Sequence, residues 1–268
     1  MKTRSVARKS RADLFSLGLE DQLRRESPLA DRLRPQDFAG FVGQQHLVGD
    51  GRVLRKSIEA DQLPSIILWG PPGSGKTTLA LLVAKVTRSH FSPISAVDSG
   101  VADLRRLIDE ARERRQSSGQ RTILFIDEIH RFNKSQQDAV LPFVEKGIVT
   151  LIGATTENPS FEVVAPLLSR CRVFTLNALT DEEIGQVVMR ALGDKERGLG
   201  EMKVEMDDEA RKHLIVMANG DARIALNALE MASLATAPDV SGRRQINLAT
   251  VEESGHCRRC LPAPGLAL

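Results

Sequence analysis

The chain has 268 residues, 41% of them hydrophobic, enough for one large or two modest domains with cores of their own. Its 37 Lys and Arg against 35 Asp and Glu leave a net charge of +2, which excludes a polycation; any nucleic-acid contact has to come from local patches. Cys171, Cys257 and Cys260 are too few for a disulfide framework and point to a reducing compartment, and no apolar run approaches the roughly 20 residues that span a bilayer.

In chain order, Lys2, Arg4, Arg8, Lys9 and Arg11 precede the first acid, Asp13, and residues 1–30 read as a solvated basic segment, with a transit-peptide-like start as the alternative. Pro35 and the glycines of Phe38 to His46 indicate an ordered loop, and Val53 to Ala60 a helix. The apolar run Ile66 to Trp69 then enters Gly70-Pro71-Pro72-Gly73-Ser74-Gly75-Lys76-Thr77, followed by a helix-forming segment to Val86. Strand, glycine-rich turn and helix fit G-x-x-x-x-G-K-[ST] position by position. Glycines let backbone N–H groups curl around phosphate oxygens, and the helix start adds partial positive charge. Lys76 would bridge the β- and γ-phosphates, and the Thr77 hydroxyl would hold Mg²⁺; Thr78 continues the nucleotide-binding turn.

Phe91 to Val97 predicts a second strand, which Pro93 places near a sheet edge. Residues 101–116 predict a helix with Val101, Leu104, Leu107, Ile108 and Ala111 on one face. Its other face carries Arg105, Arg106, Arg112, Arg114 and Arg115, a solvated face or an approach for DNA backbone or a neighbouring subunit. Thr122 to Ile126 is apolar on both faces, so it reads as a buried parallel strand delivering Asp127 and Glu128 to its carboxyl end, where open α/β sheets hold ligands. Residues 134–146 read as helix, Ile148 to Ala154 as another buried strand lying between the first and the acidic one, and Arg172 to Leu176 as the last strand. Alternation of strands and helices specifies a doubly wound α/β sheet over 31–178. From Thr180-Asp181-Glu182-Glu183, a capping box, the pattern becomes helical without strands, giving a small all-helical lid over 179–240 and a divergent tail over 241–268.

The acidic pair divides the work: Asp127 orients Mg²⁺ and Glu128 polarises the water that attacks the γ-phosphate. Thr156 is placed to hold that water or sense the phosphate, while Asn158 is equally a turn former. Arg170 is a candidate arginine finger for a neighbouring subunit, and Arg223 a candidate γ-phosphate contact from the lid; a surface arginine is the plain alternative for each. His256 to Cys260 contains one C-x-x-C pair without a second, too few ligands for zinc.

Taken together, these residues resemble an AAA+ ATPase of the replication-associated recombination protein A family, whose eukaryotic relative is the Werner helicase-interacting protein. The resemblance lies in Pro28 to Pro35, Val42-Gly43-Gln44-Gln45-His46-Leu47, the phosphate loop, Asp127 to Asp138, Gly153 to Phe161, and Asn219-Gly220-Asp221-Ala222-Arg223. It implies a DNA-stimulated ATPase using ATP and Mg²⁺ in the cytoplasm, near the nucleoid, at stalled forks. Forked DNA or single-strand/duplex junctions, single-stranded-DNA-binding protein and further copies of the chain would be its partners. It also implies Thr156 as first sensor, Arg223 as second, Arg170 as the trans finger, and Val42 and Gly43 beside adenine. The family continues into a long helical region, whereas Ser254 to Pro264 here does not read as helix, so a truncated or frame-shifted product is expected and assembly is placed in question. Two other outcomes stay open: a clamp-loader-like nucleotide switch with little hydrolysis, and an inactive fragment that folds without assembling.

Overall fold

The computed structural model describes residues 26–95 and 100–256; the basic arm before Glu26, Ala96 and Val97, and the Cys257/Cys260 pair lie outside them. The described chain divides into two compact units, one of Pro35–Glu183 with Asn219–Ala222, the other of the segment before Pro35, Ile184–Ala218 and Arg223 onward.

The first unit is built on a five-stranded sheet. Its strands are β1 (Ile66–Trp69), β2 (His90–Ser95), β3 (Thr122–Asp127), β4 (Thr150–Thr155) and β5 (Arg172–Thr175), in the order β2-β3-β4-β1-β5 and parallel throughout. β2, with its proline, is indeed an edge, and β4 lies between β1 and β3 as its apolar run requires. Side chains alternate between the two faces, and both faces are covered. Ile66, Leu68, Ile123, Phe125, Ile152 and Ala154 join one core with Leu79 and Val83 of the helix Lys76–Val86 (α4). Ile67, Leu124, Ile126 and Leu151 join the other with Leu104 and Ile108 of Val101–Ser118 (α5) and Val140 of Lys134–Glu145 (α6). Burial on both faces is why these strands read as continuous apolar runs and not as alternating ones.

Helices α1 (Leu29–Arg32), α2 (Gln45–Val48) and α3 (Val53–Glu59) precede β1, and α7 (Pro159–Glu162) and α8 (Ala165–Leu168) lead into β5. The arginine face of α5 is partly spoken for: the Arg112 guanidinium lies 5.2 Å over the Phe143 ring and Arg114 donates to Thr122 Oγ1 at 2.8 Å. The expected capping box forms at α9 (Asp181–Gly193), where Glu183 N–H donates to Thr180 Oγ1 at 3.2 Å and Thr180 N–H to Glu183 Oε2 at 2.9 Å.

The second unit is mainly helical, as expected, with one small addition. Helices α10 (Asp208–Ala218), α11 (Ala222–Ala235) and α12 (Leu248–His256) are accompanied by a parallel two-stranded ribbon, β6 (Val204–Met206) with β7 (Arg244–Ile246). Each strand is three residues long, too short to register as a period, and α10 and α11 form the crossover that parallel pairing needs. The last helix also runs through Ser254 and Gly255, which were expected to break it. Within this unit Glu230 anchors α1, accepting from Leu29 N–H and from Arg32 at 3.0 Å each.

Leu68 is fully buried in the middle of β1. Leu68→Ala is expected to lower stability by about 2–5 kcal/mol, read as a drop in the urea midpoint.

Candidate nucleotide site

Three neighbouring strands end at one edge of the sheet, and each contributes to the site. β1 opens into the phosphate loop, β3 ends in Asp127-Glu128, and β4 ends at Thr155 with Thr156 following. The loop is tied to the sheet at its first residue: Gly70 N–H donates to Thr155 O at 3.1 Å, continuing the β1–β4 ladder. A Cβ on Gly70 would sit 2.4 Å from Leu176 O, so only glycine fits between the exits of β4 and β5. Pro71 and Pro72 form the exposed crest, and Ser74 Oγ donates back to Pro71 O at 2.8 Å. Gly73 (φ 66°) and Gly75 (φ 97°) adopt the left-handed backbone that the curl requires.

Lys76 is buried at the loop's centre, its Nζ donating to Gly70 O at 2.7 Å and Pro71 O at 2.8 Å. Thr77 and Thr78 lie half-buried in the first turn of α4, where the helix dipole favours anions. Asp127 and Glu128 are also half-buried; Glu128 N–H donates to Asp127 Oδ1 at 3.2 Å. Glu128 itself takes a left-handed backbone (φ 52°), a conformation that costs a non-glycine residue and recurs at functional sites. A glycine cradle around a buried ammonium, two adjacent carboxylates and a threonine hydroxyl suits a magnesium-bound polyphosphate. Lys76 would hold the phosphates, and Thr77 and Asp127 the metal.

Val42 and Gly43 belong to a tight turn beside Leu179: a Cβ on Gly43 (φ 80°) would come within 2.5 Å of Leu179 Cδ2. Their neighbour Gln44, part of the same motif in the sequence, braces the phosphate loop. Gln44 is buried, with Nε2 donating to Ser74 O at 3.2 Å and Asn177 O at 2.8 Å, while Oε1 accepts from Asn177 N–H at 3.0 Å. His130, Thr155 and Glu157, which lie in the sequence motifs but carry no individual role there, also gather at this edge. His130 Nδ1 lies 2.9 Å from Thr155 Oγ1, and its Nε2 lies 3.3 Å from Glu128 Oε2. Thr156 is half-buried just past β4, and Asn158 takes the turn-forming role, capping α7 by accepting from Ser160 N–H at 3.0 Å.

Arg170 is not part of this cluster. It precedes β5, whose first residue pairs with Ile66 at the amino end of β1, so about 10–13 Å of strand separates it from the sheet edge that carries the loop. Its Nε pairs with Glu145 Oε1 at 2.6 Å on the surface. Arg223 is exposed in the first turn of α11, and the division between the two units falls just before it.

A parallel sheet with an added strand between the phosphate-loop and acidic strands, followed by a helical unit, defines an AAA+ ATPase. Residues 66–178 match the ATPase family associated with various cellular activities, and residues 200–261 its AAA C-terminal domain. Replication-associated recombination protein A of Escherichia coli K12 is 53% identical over 217 residues, covering 81% of this chain and 48% of that protein. The chain belongs to the replication-associated recombination protein A family of AAA+ ATPases. The Bacillus subtilis protein of that name is 43% identical over 84% of this chain and 52% of its own length. ATPase WRNIP1 of Dictyostelium discoideum is 48% identical over 77% of this chain and 23% of its own. The chain therefore spans about half the length of the bacterial relatives it matches. Among solved structures, the Thermotoga maritima RuvB Holliday junction branch migration motor superposes with a TM-score of 0.64 at 27% identity, over 84% of this chain and 73% of that one.

A Cβ on Gly73 would fall 2.0 Å from Asp221 Oδ1, besides being strained by the positive φ. Gly73→Ala is expected to weaken binding of a fluorescent ATP analogue by about tenfold or more, with the helical circular dichroism unchanged. Cys171, next to Arg170, has its thiol pushed up to about 11 by burial. In a C257S/C260S background it should react slowly with iodoacetamide at pH 8, where roughly one thiol in a thousand is ionised, and become readily alkylated once unfolded at the same pH.

Proposed function

We propose that this chain is the nucleotide-driven part of a DNA-dependent ATPase that acts in replication and recombination or repair at stalled forks. The observation that carries this reading is the convergence of Lys76, Asp127-Glu128 and the Thr155-Thr156 strand end on one edge of the sheet. Lys76 and the backbone of Gly70 to Thr78 hold the phosphates of ATP, Val42 and Gly43 flank adenine, and Thr77 and Asp127 hold Mg²⁺. When bound, Mg²⁺ supplies charge neutralisation at the transferring phosphoryl group. Glu128 polarises the attacking water, and Thr156 holds that water in line. Charge developing in the transition state is stabilised by arginines in addition to Lys76. Arg223 comes from the lid side, and Arg170, remote from its own loop, serves the nucleotide of an adjacent copy.

On this reading its substrates are forked DNA and single-strand/duplex junctions, single-stranded-DNA-binding protein is a partner and duplex unwinding an accompanying activity. The name of the Escherichia coli relative supports a role in replication and recombination. A Holliday junction motor of the same fold supports coupling of hydrolysis to DNA remodelling. On this reading the protein works in the cytoplasm near the nucleoid; among the described residues no helix is long and apolar enough to cross a membrane.

ATP turnover measured with and without forked DNA tests the reading. Stimulation by the fork is expected, and Glu128→Gln should lower kcat by about a hundredfold or more while nucleotide still binds. Turnover indifferent to DNA would favour a nucleotide-dependent switch instead.

A further inference from the structure

His130 has no part in the scheme above, yet three polar groups at the sheet edge surround its ring. The short 3₁₀ turn Ile129–Arg131 carries its ring back over the strand ends, where its side chain is only 11% exposed. Nδ1 lies 2.9 Å from Thr155 Oγ1; Nε2 lies 3.3 Å from Glu128 Oε2 and 3.8 Å from Glu157 Oε1.

The neighbouring groups fix which ring nitrogen carries the hydrogen. Thr155 Oγ1 already accepts the Glu157 N–H at 3.0 Å. Its own proton has two acceptors in reach, His130 Nδ1 at 2.9 Å and the Glu157 carbonyl at 3.3 Å. The carboxylates beside Nε2 can only accept, which draws the ring hydrogen to Nε2 and leaves Nδ1 to accept from the hydroxyl. A threonine hydroxyl donating to Nδ1 leaves the hydrogen of the neutral ring on Nε2, the nitrogen beside the two carboxylates, with Glu128 the nearer.

We propose that His130 is the positioning residue for Glu128, an inference that rests on reading Glu128 as the group that polarises water. Through Nε2–H the ring selects one orientation of a half-exposed carboxylate whose side chain has three rotatable bonds. Through Nδ1 it refers that orientation to Thr155, the residue immediately before Thr156. Water-polarising carboxylate and water-holding strand end are thereby locked in register, and Glu157 is a competing acceptor for the same hydrogen. The register matters because a misplacement of about 1 Å in a reacting group can cost a hundredfold in rate.

Two measurements test this. Long-range ¹H–¹⁵N correlation spectra of the histidine rings, recorded on the full chain at pH 8 and assigned with His130→Gln, need no turnover. They should show the His130 hydrogen on Nε2, a mixed tautomer in Thr155→Val, and a displaced Nε2 resonance in Glu128→Gln. In steady-state hydrolysis His130→Ala should lower kcat by about tenfold to a hundredfold with the KM for ATP within about twofold. His130→Gln, which can return an N–H to Glu128, should recover part of the loss. A ring hydrogen on Nδ1 overturns the proposal. So does an unchanged kcat in His130→Ala when Glu128→Gln has abolished turnover. Turnover that survives in Glu128→Gln overturns the assignment of Glu128 on which the proposal rests.

Discussion

The site depends on a parallel ladder that continues past the end of its strand. β1 lies between β4 and β5, and at its carboxyl end Gly70 N–H donates to Thr155 O while Leu176 N–H donates to Trp69 O at 2.7 Å. The phosphate loop thus starts from a backbone held on both sides, with Leu176 O so near that a methyl group at Gly70 has no room. Because all five strands run the same way, the acidic end of β3 and the threonine end of β4 must emerge on the same edge. A loop that has to present N–H groups to phosphate oxygens loses affinity if it moves, so this anchoring is part of the chemistry.

Buried polar side chains extend that anchoring. Gln44 spans the loop at Ser74 and the β5 exit at Asn177, using both amide hydrogens and its oxygen. A fully paired amide in a buried site rigidifies its surroundings, whereas an apolar replacement would strand two carbonyls and an N–H. On the other side of the loop, His130 and Thr155 connect the ends of β3 and β4. Both devices act on positions that hydrophobic packing alone would leave soft, since apolar contacts are not directional.

Arg170 shows the same topology from its other side. A parallel sheet sends amino ends and carboxyl ends to opposite edges, and Arg170 sits at the amino end of β5 while Lys76 and Asp127 sit beyond carboxyl ends. A residue so placed is remote from the loop of its own chain, and strand direction is why it is proposed to serve the nucleotide of an adjacent copy. The exposed ion pair with Glu145 is a weak restraint that a phosphate would readily outcompete.

Composition and pattern by themselves determined the sheet, its edge strand β2, the insertion of β4 and the identities of Lys76, Thr77, Asp127 and Glu128. Long apolar runs and a glycine-rich turn are local signals, and the sheet's direction follows from the helices between its strands. The ribbon β6–β7 stayed invisible because three residues carry no period and its pairing joins residues forty positions apart. Gln44, Thr155, Glu157 and Asp221 were also decided only in three dimensions. Each acts through a partner distant in sequence or through a left-handed turn, and neither a side chain's type nor its spacing states where it will point. His130 is the sharpest case: it is three residues from Asp127, but its meaning depends on a hydroxyl 25 positions away.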